Sequence, residues 1–244
     1  MSPLIKYLLY LADSHLILSH RNSEWCGHGP VLEQDIAITN ISLDLLGQAR
    51  NYYQYAATLL GGNTTEDTLA YHRSEREFRN LLLTEQPRGD WAVTVLRQYF
   101  FSSFQQLLQQ ELVRHPDQQI AAIAAKSLKE IQYHLRWSSE WVVRLGDGTP
   151  ESAQRLQAAL VQLWPYTGEC FIAADYETEA GIPVATLKDV WQEQLQSVLA
   201  AAGLTMPQES FMQTGGKAGV HTEHLGYVLA DLQYVQRAYP GNEW

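Results

Sequence analysis

The sequence is poor in cysteine, positive charge and long apolar runs. Its 244 residues include two cysteines, Cys26 and Cys170, and no C-x-x-C pattern, so we expect free thiols in a reducing compartment. No run of about 18 uncharged apolar residues occurs, which argues against a membrane span. The apolar stretch 4–18 is interrupted by three polar residues and lacks a cleavage site, so it does not resemble a signal peptide and we expect a cytoplasmic protein.

Acidic residues outnumber basic ones by 27 to 17, which gives a formal net charge of −10. Because nucleic acids and anionic membranes attract basic surfaces, this balance argues against either as the main partner. The hydrophobic fraction of 45% is that of an ordinary globular protein.

Strand signals are also missing. We find no convincing alternation of polar and apolar residues and no Asn-Gly turn, whereas apolar residues recur at helical spacing along most of the chain. The pattern therefore predicts an all-α protein. The predicted helices cover about 4–20, 32–60, 69–83, 91–114, 118–145, 150–176 with a break at Pro165, 185–202 and 222–239.

Several residues predict where these helices begin and end. Asp90, Asp117 and Thr149 can accept hydrogen bonds from the first free N–H groups of the helices that follow them, and Gly61 can end the second helix. Four of the predicted helices exceed about 20 residues, or roughly 30 Å. Short loops join several of them, so we predict a four-helix bundle with peripheral helices, formed by a single domain over residues 1–244.

Metal-binding and catalytic motifs are absent from the sequence. A di-iron or di-manganese bundle needs Glu-x-x-His on two helices, and the sequence has neither E-x-x-H nor D-x-x-H. One near miss is the pair Glu130 and His134, whose i, i+4 spacing remains compatible with a metal ligand pair. No G-x-S-x-G, P-loop or G-x-G-x-x-G motif occurs.

Some polar residues fall in line with apolar helix positions. Asp13 aligns with Ile5 and Leu9, and Asn40 and Asp44 align with neighbouring apolar residues of the second helix. Together with Glu130 and His134 they predict a metal-free polar core, in which a buried carboxylate needs a counter-charge. The candidates for that charge are Arg50, Lys126, Lys129 and His134. There are two alternatives to the polar core. The residues could cap turns or form local salt bridges on partly exposed faces, or they could form a functional metal site.

The segment Thr214–Gly219 is rich in glycine and contains Lys217. Such a loop can bind phosphate through backbone N–H groups and one lysine, but it lacks the Ser or Thr that follows the lysine in a P-loop. The composition favours a flexible surface turn, with a phosphate contact by Lys217 as the alternative.

Several segments together resemble one known family. They are EWCGH (24–28), LEQDIAITNISLDLLGQARNYYQYA (32–56), DTLAYHRSEREFRNLLLTEQP (67–87), KSLKEIQYHLRWSSEWVVRLGDGT (126–149) and TGGKAGVHTEHLGYVLADLQYVQRAYPG (214–241). Across nearly the whole chain, the sequence resembles the C subunits of phenylacetyl-CoA epoxidase, the multicomponent oxygenase of aerobic phenylacetate catabolism.

The resemblance implies a ferritin-like fold and a structural role. It implies that a larger catalytic A subunit holds the di-iron site, that a small B subunit joins the complex, and that a flavin and iron–sulfur reductase supplies electrons from NADPH. The complex would insert one oxygen atom of O₂ into the ring of phenylacetyl-CoA. This chain would then carry no catalytic residue, metal ligand or cofactor of its own. A contact between Lys217 and the CoA phosphates is the one substrate contact that we predict for it.

Two other functions stay open at this stage. One is a diverged metal-dependent oxidase that uses Glu130, His134, Asp13 and Asp44. The other is a homo-oligomeric helical scaffold with no oxygenase partner, and self-association is also compatible with a subunit role.

Overall fold

A computed structural model describes residues 1–208 and 211–242, and within them the chain is all-α, as predicted. The helical content is consistent with the predicted ferritin-like fold, while the four-helix bundle arrangement stays a prediction. Within the described residues, the α-helices are α1 (Pro3–Ser23), α2 (Leu32–Leu60), α3 (Glu66–Tyr71), α4 (Leu82–Glu85), α5 (Trp91–Leu112), α6 (Gln118–Gly146), α7 (Pro150–Leu163), α8 (Asp175–Glu179), α9 (Lys188–Ala201) and α10 (Glu223–Ala238).

The predicted caps start and end the long helices. Asp90 accepts a hydrogen bond from Val93 N, Asp117 accepts from the second and third N–H groups of α6, and Thr149 accepts from Ser152 N. Gly61 ends α2 with a φ of 71°, a conformation that costs glycine little.

Two predicted helices differ from the observed ones, although the predicted break at Pro165 is confirmed. The expected helix 69–83 is replaced by α3, a 3₁₀ turn at Glu75–Glu77 and α4. The expected helix 150–176 ends at Leu163, because the ring of Pro165 cannot continue the helical hydrogen-bond pattern, and 3₁₀ turns follow it. The four longest helices are therefore α1, α2, α5 and α6, and α7 is not among them.

The chain divides into two compact units, and the predicted single domain stays a prediction. Unit 1 comprises Met1–Pro87, Ala174–Ala180 and Gly215–Trp244. Its centre is the antiparallel pair α1–α2, in which the Ser19 hydroxyl donates to the Ser42 carbonyl at 2.7 Å. The helices α4, α8 and α10 pack against α1, and α3 packs against α2. Every residue from 7 to 19 is buried, as the apolar character of this helix on all sides predicts.

Unit 2 comprises Arg88–Ala173 and Gly181–Thr214 and is built on the pair α5–α6, with α7 and α9 packed against both helices. Gly146 ends α6 where a Cβ atom would overlap the carbonyl oxygen of Ala202, so only glycine permits this approach. Its core contains a cluster of aromatic rings 5.1–6.3 Å from their neighbours, formed by Phe100, Phe104, Trp164, Phe171 and Trp191.

Cys26 is exposed and Cys170 is buried, and no disulfide joins these two residues. Among the described residues, no helix is both long enough and apolar enough to cross a membrane.

Candidate functional site

The interior of unit 1 contains a carboxylate fixed by three other residues. Asp13 lies on α1 with no exposed surface. The Tyr53 hydroxyl of α2 donates to Asp13 Oδ1 at 2.5 Å, and the backbone N–H of Arg79 donates to Oδ2 at 2.8 Å. The Arg73 guanidinium forms a bidentate ion pair with the same carboxylate. Asp13 is thus buried and fully engaged, which confirms its predicted burial and identifies Arg73 as its counter-charge.

The protein also fixes Arg73 from its other sides. Its guanidinium donates to the carbonyls of Leu69 at 2.5 Å and Glu77 at 2.9 Å, and it lies 4.2 Å from the centre of the Phe78 ring. Burial by itself would lower the pKa of Arg73, but the charge and hydrogen bond of Asp13, together with Tyr53 and Glu77, outweigh it and raise the pKa above its usual value. Arg73 therefore stays charged over the physiological pH range.

A second buried carboxylate, Glu85, lies on α4. Its Oε2 atom is 2.8 Å from His221 Nδ1 and accepts from Asn80 Nδ2 at 2.8 Å, while Oε1 accepts from the Thr222 N–H at 2.7 Å. Thr222 caps α10, so this carboxylate also anchors the start of that helix.

The surroundings of His221 favour its protonated form. Its Nε2 atom lies 2.9 Å from the carbonyl oxygen of Phe78, so both ring nitrogens face oxygen acceptors. Both nitrogens can donate only when the ring is an imidazolium. Burial tends to lower the pKa of His221, but the hydrogen bond and charge of Glu85 outweigh it and the pKa is raised.

A third buried carboxylate, Glu177 of α8, pairs with Lys217. The Lys217 ammonium donates to Glu177 Oε2 at 2.8 Å and lies 5.0 Å from the centre of the Tyr10 ring. The same oxygen accepts from Ala174 N at 2.8 Å. Three buried carboxylates of unit 1 thus each contact a side-chain cation.

The glycine-rich segment does not form the exposed turn that its composition favours. Gly216 and Gly219 are buried against residues 76–82, where a Cβ would overlap the carbonyl oxygens of Asn80 and Arg76 respectively. The Lys217 ammonium therefore points into the interior and is not presented to solvent. Its predicted contact with CoA phosphates stays a prediction, and this placement disfavours it.

Comparisons with known proteins match the whole chain. The model of the family described as "Phenylacetic acid catabolic protein" matches residues 1–244. The chain belongs to this family. It is also 49% identical over 249 residues to the C subunit of 1,2-phenylacetyl-CoA epoxidase from Escherichia coli (strain K12), with all of both chains covered. The predicted resemblance and the link to phenylacetate catabolism are confirmed.

The other residues predicted for the polar core differ in burial and lie in different units of the chain. His134 is buried on α6, with Glu130 half-buried one turn before it, and both belong to unit 2. Asp44 is half-buried on α2 of unit 1. Their participation in a polar core stays a prediction.

The prediction that Asn40 is buried is wrong, because Asn40 is exposed. α2 has two apolar stripes. The stripe containing Ile38, Ile41 and Leu45 is buried, and the stripe that Asn40 shares with Ile36 and Leu43 faces solvent. Arg50 is also exposed and pairs with Glu66, so it is not a counter-charge for Asp13.

Sequence patterns did not identify Arg73, Glu85, Glu177 or His221 as members of these pairs. Within residues 1–208 and 211–242, we find no group of three or more His, Cys, Asp or Glu side chains placed to hold a metal ion. The three buried carboxylates of unit 1 are instead paired with an arginine, a histidine and a lysine.

Proposed function

We propose that this chain is the structural, non-catalytic C subunit of a phenylacetyl-CoA epoxidase and stabilises the di-iron catalytic subunit. The observation that carries the proposal is the set of buried ion pairs in unit 1, in a chain that matches the C subunit of such an enzyme over its full length. The family resemblance adds a small B subunit and a flavin and iron–sulfur reductase as further partners.

The ion pairs matter because of what a di-iron site requires. Carboxylates at such a site neutralise the metal charge through their oxygen lone pairs. Asp13 has its two oxygens engaged by Arg73, Tyr53 and a backbone N–H, and Glu85 is similarly engaged on both oxygens. A metal ion would have to displace a buried cation and leave it without a partner, which is costly. We therefore assign the iron to the partner subunit.

A structural subunit acts by holding its partner's helices in place. Here α1 is fixed by buried pairs to segments far along the chain: Asp13 to Arg73, and Tyr10 to Lys217. Such links hold α1 to these segments, and a surface held in this way can fix the ligand geometry of an associated catalytic subunit.

The test is to produce the catalytic subunit with and without this chain. Its soluble yield, iron content and rate of epoxide formation from phenylacetyl-CoA, with O₂ and the reductase present, are then compared. We expect all three to fall when this chain is absent. A catalytic subunit that keeps its yield, iron and full activity alone would reject the proposal.

One variant separates this function from a metal-dependent oxidase. The half-buried Glu130 and the buried His134 one turn later form the best remaining candidate ligand pair. We expect Glu130→Ala to leave the activity of the complex unchanged. Stoichiometric iron or manganese in the chain purified alone, lost in Glu130→Ala, would favour the oxidase and contradict the structural role.

A further inference from the structure

One face of α2 exposes large aliphatic side chains. Ile36 is 52% exposed, Leu43 60% and Leu46 44%, and Leu32, one turn before Ile36, is 73% exposed. Their spacing of three, four and seven residues places them on one stripe. Isolated exposed leucines are ordinary on protein surfaces, but a continuous stripe of this kind marks a site of interaction.

The stripe forms one wall of a groove within unit 1. Leu16 of α1, Tyr71 of α3 and Leu232 of α10 are the other large side chains, besides His20, that line the pocket containing Leu43 and Leu46. A second pocket shares Leu16, Leu46 and Tyr71 with it and continues the groove to Arg50 and Asp67.

The groove consists of two adjoining pockets. They measure about 240 and 220 Å³. Each alone is smaller than the roughly 300–1,000 Å³ of a typical small-molecule site. Gly47 lies one turn after Leu43 with open space where a Cβ would be, so a second helix could approach α2 closely there. We describe Ile36, Leu43, Leu46, Gly47 and the two pockets as the α2 groove.

The charge around the α2 groove is negative. Of the rim carboxylates, Glu24 pairs with Arg21 and Glu66 with Arg50. Two more carboxylates add negative charge: Asp67 lines the second pocket, and Asp231 lies close enough to His20 of the first pocket to act on its pKa. Burial lowers the pKa of the rim histidine, His20, so it is neutral at pH 7 and does not offset them. Two copies of the chain facing each other would bring like charges together, which disfavours symmetric self-pairing.

We infer that the α2 groove binds a helix of the catalytic subunit, whose aliphatic ridge is flanked by lysine or arginine. The inference rests on the proposed function and specifies the surface through which it acts. The ridge fills the two pockets, the basic flanks face the acidic rim, and Asn40, exposed between Ile36 and Leu43, supplies a polar contact that fixes the register of the two helices.

The decisive experiment is a binding measurement with the double variant Leu43→Glu/Leu46→Glu. Both side chains are largely exposed, so we expect helicity and thermal midpoint to be unchanged. Affinity for the purified catalytic subunit should fall at least about 30-fold, as for central interface residues. The matched control is Val161→Glu in unit 2, which is 64% exposed and should bind normally.

The charge requirement has its own test. Asp67→Lys should weaken binding about 3- to 10-fold and reduce its sensitivity to salt, because it removes an attraction at the rim. The control is Asp189→Lys, an exposed carboxylate of unit 2.

The outcomes separate the inference from the proposed function. If the wild-type chain binds the catalytic subunit and the double variant binds equally well, the groove assignment is wrong and the structural role remains. If the wild-type chain does not bind, the proposed function fails and the inference fails with it. A wild-type homodimer that the double variant abolishes would assign the groove to a second copy and overturn the inference.

Discussion

In unit 1, three carboxylates are buried and each contacts a side-chain cation: Asp13 with Arg73, Glu85 with His221, and Glu177 with Lys217. The interior of unit 2 depends more on aromatic packing. Its core also contains hydrogen bonds between neutral side chains, such as that from Trp191 Nε1 to Ser103 Oγ at 2.7 Å. Arg97 and Glu169 are the buried charged residues of unit 2 within the described part of the chain.

The difference lies in what each interior loses when one side chain is removed. Burying a charge is costly, and a well-formed ion pair roughly offsets that cost, so the pair adds little net stability. Removing one member leaves the other charged and unpaired in the interior. Removing part of an aromatic ring leaves a cavity, whose cost depends on how far the neighbours relax. Unit 1 should therefore be the more sensitive to loss of a single partner.

The largest effect should come from Arg73→Ala. It leaves Asp13 buried without its counter-charge, and we expect the free energy of unfolding to fall by about 3–5 kcal/mol in urea denaturation. The control is Arg50→Ala, which removes an exposed arginine whose carboxylate partner is Glu66 and should cost less than about 1 kcal/mol.

A double variant tests whether the unpaired charge causes this loss of stability. Asp13→Asn/Arg73→Met removes both charges, so it should be more stable than Arg73→Ala alone. If the double variant were the less stable, loss of packing around Arg73 would explain the result better than an unpaired charge.

In unit 2, the corresponding change is Trp191→Phe. It reduces the volume of a side chain at the centre of the aromatic cluster and removes the donor to Ser103, which should cost about 1–3 kcal/mol. A double-mutant cycle with Ser103→Ala, measured by the same urea denaturation, separates the hydrogen bond from the packing. A cost equal to that of Arg73→Ala would remove the contrast between the two units.

The sequence predicts the long helices well because their signals are local. Side-chain caps such as Asp90 and Asp117, and the glycine that ends α2, act within a few residues of the helix end. Asp13 could be identified for a similar reason, since α1 is apolar on all sides and Asp13 lies near its middle. The short elements between Glu66 and Glu85 were missed because one turn of helix carries too little periodicity.

The ion-pair partners could not be predicted, because they depend on contacts between distant residues. Arg73 is 60 residues from Asp13, and Lys217 is 40 residues from Glu177.

Asn40 shows a second limit of prediction from sequence. Periodicity identifies the apolar stripes of α2, but it cannot tell which of them faces the core and which, like that of Ile36 and Leu43, is left exposed.

The smallest effect should be the pH dependence of the His221–Glu85 pair. Because the folded state raises the pKa of His221, the pair's contribution to stability is complete below the ordinary histidine pKa of about 6.5 and is lost as pH rises through the folded value. Glu85 keeps donors from Asn80 and Thr222 when His221 loses its proton, which limits the loss of stability.

The measurement is the difference in free energy of unfolding between wild type and His221→Gln from pH 5.5 to 9. We expect it to be greatest at the acidic end and to shrink as pH rises, and Glu85→Gln should flatten it. A difference that grows with pH would mean that the buried ring is neutral, and unit 1 would then contain two charged pairs where we count three.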